Sequence, residues 1–158
     1  MKLRHLFMLI FAASAAVLAG AYAFQYLGGL APCKLCLYQR IPYGLAMLVS
    51  GGAIIWPAYS RMAHALLIGI FAVSVGLGVH HAGVEWHWWA GPASCSNLLG
   101  GAANVEELTA MILAAPVVRC DEVPWSLFGI SLAGYNALIS MALLGAGGFY
   151  WKRFYGRA

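Results

Sequence analysis

The chain has 158 residues, of which 63% are hydrophobic and 9% charged, with a formal net charge of +4. A soluble domain averages about 25% charged residues, so this composition argues against water as the main solvent. The basic residues cluster at loops and termini instead of forming a stripe, which argues against a nucleic-acid footprint.

Charges punctuate four long uncharged tracts, over 6–33, 41–60, 62–84 and 123–151. Each reaches the roughly 20 residues a helix needs to cross the hydrocarbon core. The tracts are apolar on every face, without the alternation of a membrane β-barrel. The sequence therefore predicts an all-α membrane protein, a single integral domain over 1–158 built as a four-transmembrane-helix bundle. The spans are expected at about 6–27, 37–56, 62–81 and 127–150, with outer loops at about 28–36 and 82–124.

The first tract follows Lys2 and Arg4 and could pass for a cleavable signal, with Ala21-Tyr22-Ala23 as a small-residue end. A signal's apolar core covers only about 7–15 residues, and this tract is longer, so a retained helix is expected. Gly28 and Gly29 loosen its end, and a short loop then carries Pro32-Cys33-Lys34-Leu35-Cys36. The second span ends near Trp56, and the tight turn 57–61 makes spans 2 and 3 antiparallel neighbours. Gly69, Gly76 and Gly78 in span 3, and Gly145, Gly147 and Gly148 in span 4, could permit close helix approach.

The second outer loop is the one long polar stretch and holds Cys95 and Cys120. Within it, Asn104 can cap a helix and Glu107 can complete the reciprocal bond. Val105, Leu108, Met111, Ile112 and Ala115 share a face, and Pro116 limits the run, so a short amphipathic helix is expected on the outer surface or against the bundle. Trp86, Trp88 and Trp89 read as an interfacial aromatic belt.

Orientation follows from the basic residues. Lys2, Arg4, Arg61, Lys152, Arg153 and Arg157 lie at the two termini and the loop between spans 2 and 3, against Lys34, Arg40 and Arg119 in the other loops. This bias puts both termini in the cytoplasm and all four cysteines outside. The acids Glu85, Glu106, Glu107, Asp121 and Glu122 fall on that outer side.

Cys-x-x-Cys by itself has several meanings. Leu37, not histidine, follows Cys36, which disfavours haem attachment. A four-cysteine zinc site normally draws on two closely spaced pairs, and Cys95 and Cys120 are far apart, so no metal ligand is assigned. Structural disulfides are the ordinary use of exported cysteines. Two features favour redox chemistry. Arg40 stands one helical turn after Cys36, where its cation can stabilise a thiolate; a snorkelling anchor is the alternative. The pair also lies at the lipid boundary, close to any lipid-soluble electron acceptor.

Pro-Cys-Lys-Leu-Cys-Leu-Tyr-Gln-Arg at 32–40, followed by a second outer cysteine pair, resembles the signature of the disulfide bond formation protein B (DsbB) family of inner-membrane thiol:quinone oxidoreductases. The resemblance extends over essentially the whole chain. It implies a bacterial inner-membrane enzyme with bound quinone, ubiquinone or else menaquinone, and a periplasmic thioredoxin-like partner, a dithiol oxidase of the DsbA type. It implies that Cys95 receives the partner's thiolate, Cys120 passes electrons to Cys33, and Cys36 meets the quinone beside Arg40. The family places a quinone-contacting polar residue at the outer end of span 3, where this chain offers His80, His81 and Glu85. Interfacial solvation is the alternative for the two histidines, and packing for Tyr38, Gln39 and Tyr43. A tetraspan enzyme running in reverse, and a scaffold with two structural disulfides or a four-cysteine metal site, are the competing functions.

Overall fold

The computed structural model describes residues 3–91 and 119–156. Four long helices make up most of it: α1 Leu3–Tyr26, α2 Lys34–Ile55, α3 Ser60–Glu85 and α4 Leu132–Tyr155. A 3₁₀ turn, Pro57–Tyr59, joins α2 to α3, and the strands β1 Ser126–Leu127 and β2 Ile130–Ser131 precede α4. Among the described residues, three segments are long and apolar enough to cross a membrane: Leu3–Tyr26, Pro57–Glu85 and Leu132–Tyr155. α2 is the most polar of the four, because Lys34, Gln39 and Arg40 crowd its first half. The amphipathic helix expected over 104–116 lies outside the described residues.

Helix limits follow local chemistry more than hydropathy. α2 starts at Lys34, before its apolar tract, because Cys33 is its N-cap and accepts from the Cys36 backbone N–H at 3.2 Å. α3 continues past 81 to Glu85, so His80, His81 and Glu85 are all helical. It stops where His87 takes a positive φ of 58°. α4 begins at Leu132 and not near 127. Leu127 pairs with Ile130 across a two-residue turn in which Phe128 and Gly129 have φ of 52° and 77°. Positive φ at both central residues is what a type I′ hairpin requires. Ser131 then caps α4 by accepting from the Gly134 N–H at 3.1 Å.

α1 packs on α2, α2 on α3, and α3 on α4. The core joins Leu6, Phe7 and Ile10 of α1, Tyr43, Ala46 and Ala53 of α2, and Ala63, Leu67 and Phe71 of α3. A polar chain crosses it: Tyr43 Oη lies 2.8 Å from Ser140 Oγ, which lies 2.8 Å from Ser74 Oγ, so α2, α4 and α3 share one hydrogen-bonded column. Two of the six span glycines serve close approach. A Cβ on Gly78 would stand 2.9 Å from the Ala137 backbone, and one on Gly147 would meet Ile68 at 3.3 Å. Gly69, Gly76, Gly145 and Gly148 have open space where a Cβ would go.

A candidate redox site at one end of the bundle

The N-terminus of α2 sets the pair. Cys33 at the cap and Cys36 in the first turn bring their sulfurs to 2.9 Å, with Cys33 donating. That hydrogen bond, then burial, pushes the Cys33 thiol well above its ordinary pKa. Cys33 therefore keeps its proton, and negative charge on the pair falls to Cys36, near the helix N-terminus that favours it. Cys33 is buried and Cys36 half-buried.

Cys36 opens onto a cavity of about 510 Å³ between α1, α2 and α4. Most of the wall is apolar, with Val17, Leu18 and Phe24 of α1, Leu30 of the first loop, and Leu132 and Ile139 of α4. Cys36, Gln39, Arg40, His81 and Glu85 bring polar atoms to it. This is the usual make-up of a small-molecule site: an apolar concavity of about 300–1,000 Å³ with a few convergent polar groups. A lipid-soluble ring with carbonyl acceptors fits that donor set.

Arg40 is tied to α1. Its Nη1 donates to Gln25 Oε1 at 2.6 Å, its Nη2 to the Ala21 carbonyl at 3.4 Å, and its guanidinium lies 4.9 Å from the Tyr22 ring centre. His81 is buried between the pair and Gln39: its Nδ1 stands 2.9 Å from Gln39 Nε2, and its Nε2 stands 3.5 Å from Cys33 Sγ. Glu85 Oε1 lies 4.0 Å from the same Nε2. Glu85 Oε2 accepts a hydrogen bond from Ser131 Oγ, so the α4 cap is shared with the cavity wall.

Cys120 belongs to the same buried cluster as Cys33, Leu35 and Val84, with Cys36 at its edge. Beside it, Arg119 forms a forked pair with Asp121 at 3.0 and 2.7 Å and holds that carboxyl below its ordinary pKa. Cys95 lies outside the described residues. Of the residues singled out from sequence, Cys33, Cys36, Cys120, Arg40, His81 and Glu85 meet at this end. His80 does not join them. It is exposed, its ring stacks on Trp89 at 5.7 Å and 3°, and it is absent from the cavity wall.

Three participants were not foreseen. Gln25 anchors Arg40, Gln39 orients His81, and Trp125 closes the cavity against Phe24 with ring centres 4.9 Å apart. The two glutamines had a readable signal, since an uncharged amide within an apolar tract needs a partner. Trp125 had none.

These features define a helical membrane protein with a thiol pair set beside an apolar cavity. The model of the family described as Disulfide bond formation protein DsbB matches residues 3–149, and the chain belongs to that family. Disulfide bond formation protein B 1 of Pseudomonas aeruginosa is 31% identical over 150 residues, covering 90% of this chain and 90% of the relative. Disulfide bond formation protein B of Stutzerimonas stutzeri is 32% identical over 153 residues, covering 89% and 91%. That of Marinobacter nauticus is 29% identical over 163 residues, covering 98% and 95%. No solved structure matches the chain. Membership makes the chain an oxidoreductase of disulfide bond formation and a multi-pass membrane protein.

Proposed function

We propose that the chain reoxidises a periplasmic thioredoxin-like dithiol oxidase, of the DsbA type, and passes its electrons to a quinone in the cavity beside Cys36. The observation that carries this reading is that the Cys36 thiol and Arg40 line the same apolar cavity, while Cys33 and Cys120 share one buried cluster behind it. In this reading α2 is the fourth span, with its polar first half turned to the site. The termini are cytoplasmic and the cysteines periplasmic in the inner membrane.

The relay balances at each step. The partner's thiolate attacks the Cys95–Cys120 disulfide at Cys95, and Cys120 leaves as a thiolate. The partner's second thiol resolves the mixed disulfide and departs oxidised. Cys120 attacks Cys33 of the Cys33–Cys36 disulfide, and Cys36 leaves as the thiolate. Cys95 then attacks Cys120, restoring its own disulfide and freeing Cys33 as a thiol. Each exchange is thiolate attack on a disulfide.

A bound quinone, ubiquinone or menaquinone, supplies the final sink for two electrons and two protons. Around it, Arg40 offers a fixed cation and N–H donors, held in place by Gln25. Cys33 holds its proton against Cys36, which keeps the charge on the sulfur that faces the cavity. His81 and Glu85 supply proton-holding atoms on the α3 side. The apolar wall excludes water from the thiolate.

The test is a trap. A partner variant whose second cysteine is replaced by serine attacks Cys95–Cys120 but cannot resolve the product, so a mixed disulfide with Cys95 accumulates; in Cys120→Ser, Cys95 has no disulfide to offer and quinone reduction driven by the reduced partner stops. Trapping the partner on Cys33 instead would falsify the order.

A further inference from the structure

We infer that the reduced Cys33–Cys36 pair and His81 form a three-ligand binding site for a thiophilic divalent cation of the Zn²⁺ class, with a fourth position open to the cavity. The two sulfurs and a ring nitrogen of His81 all lie within 4.8 Å of one another, although they come from two different helices. A dithiolate with one imidazole is a donor set that zinc accepts in sites that keep an open position. The inference goes beyond the electron route, since it needs only the thiols and the histidine.

The distances suit the coordination. Ligand atoms of a tetrahedral zinc site lie about 3.3–3.8 Å apart, given bonds of about 2.3 Å to sulfur and 2.0–2.1 Å to nitrogen. Cys33 Sγ to His81 Nε2 is already 3.5 Å. The two sulfurs, at 2.9 Å, have to part by a little under 1 Å. A χ1 adjustment of half-buried Cys36 supplies that, because its sulfur borders open cavity.

The remaining requirements are met once His81 gives up the hydrogen bond it makes to the Cys120 backbone. His81 must present a lone pair at Nε2, which requires the proton on Nδ1. Gln39 stands 2.9 Å from Nδ1, and a half-turn of its amide presents oxygen there as the acceptor. Such an outer partner fixes ring orientation and tautomer in metal sites. Two thiolates neutralise the dication, and the Glu85 carboxylate, 4.0 Å from Nε2, borders the open position. The cavity is the route in, since Cys36, His81 and Glu85 all line it.

Binding is an exchange of protons for metal. Two thiols and one dication give a bis-thiolate chelate and two protons, with no change of oxidation state. The oxidised pair has no thiolate to offer, so the site exists only while the pair is reduced. A chelated pair in turn cannot transfer its electrons, and a thiophilic cation arrests the protein in its reduced form.

The experiment uses the full chain in detergent, reduced and freed of reductant, as wild type and as Cys95→Ser/Cys120→Ser. Zn²⁺ is titrated in competition with a chromophoric chelator, and Co²⁺ reports ligands through its absorbance. The expected result in the double variant is one equivalent per chain, release of the proton held by Cys33 together with any held by Cys36, and a thiolate-to-Co²⁺ band. Binding disappears when the pair is oxidised. His81→Asn weakens it, and Gln39→Leu weakens it by about 10- to 100-fold. Should His81→Asn fail to fold, Gln39→Leu decides the histidine's part. No uptake by the double variant, uptake that survives oxidation, or uptake indifferent to the substitutions at 81 and 39 overturns the site. Because no partner or quinone is present, these results are independent of the proposed electron route.

Discussion

α3 buries one histidine near each end. His64 is 0% exposed and His81 is 3% exposed, and they stand about 25 Å apart along one helix. His64 Nε2 faces the Gly147 carbonyl of α4 at 2.9 Å, so that nitrogen is the donor. The rings of Phe7, Trp151 and Tyr155 meet His64 at 6.2, 5.4 and 5.7 Å, all near edge-on. His81 meets an amide, a thiol and a carboxylate. The same side chain, on the same helix and equally hidden, is a packing piece at one end and a member of a reactive cluster at the other. Neighbours, not residue type or burial, assign its chemistry.

The largest effect expected from this contrast is at the thiols. Cys36→Ser removes the sulfur that faces the cavity and should cut dithiol-driven quinone reduction by about three orders of magnitude or more. The thermal midpoint should move little. Comparable turnover in Cys36→Ser would empty the His81 end of α3 of its special status.

Arg40 comes next. Arg40→Met deletes charge-assisted hydrogen bonds of about 1.5–3 kcal/mol and should weaken apparent quinone affinity about 10- to 100-fold. Arg40→Lys keeps the cation but not the planar fork, so a smaller loss is expected. Single-turnover oxidation of the soluble partner by Cys95–Cys120 should be nearly unchanged in both. Wild-type quinone titrations in both variants would leave Arg40 a snorkelling anchor.

His64→Ala inverts the pattern. It removes a ring from an aromatic cage and a donor from Gly147, and should cost about 2–3 kcal/mol of stability. Turnover per folded molecule should stay within about twofold, on the view that packing alone is lost. A selective loss of turnover would erase the contrast between the two ends.

The smallest effect is a control on the middle of α3. Gly78→Ala forces a Cβ to within 2.9 Å of the Ala137 backbone. Overpacking of this kind typically costs about 1–3 kcal/mol. Gly76→Ala, with open space at its Cβ position, should be neutral in the same melting assay.

Much of this was legible in the sequence. Sparse charges marked the helices, and the spacing of Cys33, Cys36 and Arg40 drew attention to the start of α2, where Cys36 and Arg40 line one cavity. The rest was hidden for identifiable reasons. Adjacent helical residues point about 100° apart, so His80 and His81 could not be ranked until α3 had a rotation about its axis. Trp-Ser-Leu-Phe-Gly-Ile-Ser at 125–131 reads as apolar span, and Gly129 was the lone hint of the hairpin that delays α4. The link from Arg40 to Gln25 depends on how α1 is turned against α2, which hydropathy does not encode. The fate of Gly69 and Gly78 differed for the same reason.

The segment that carries Cys120 also supplies part of the cavity wall. Pro124, Trp125 and Leu127 line it, and Trp125 rests on Phe24 of α1. Any displacement of this strand of chain that alters how Cys120 meets Cys33 therefore alters the space in which a ligand sits. By thermodynamic linkage, a ligand that prefers one arrangement must shift the other by the same factor. An occupied cavity and an empty one then present Cys120 with different equilibria.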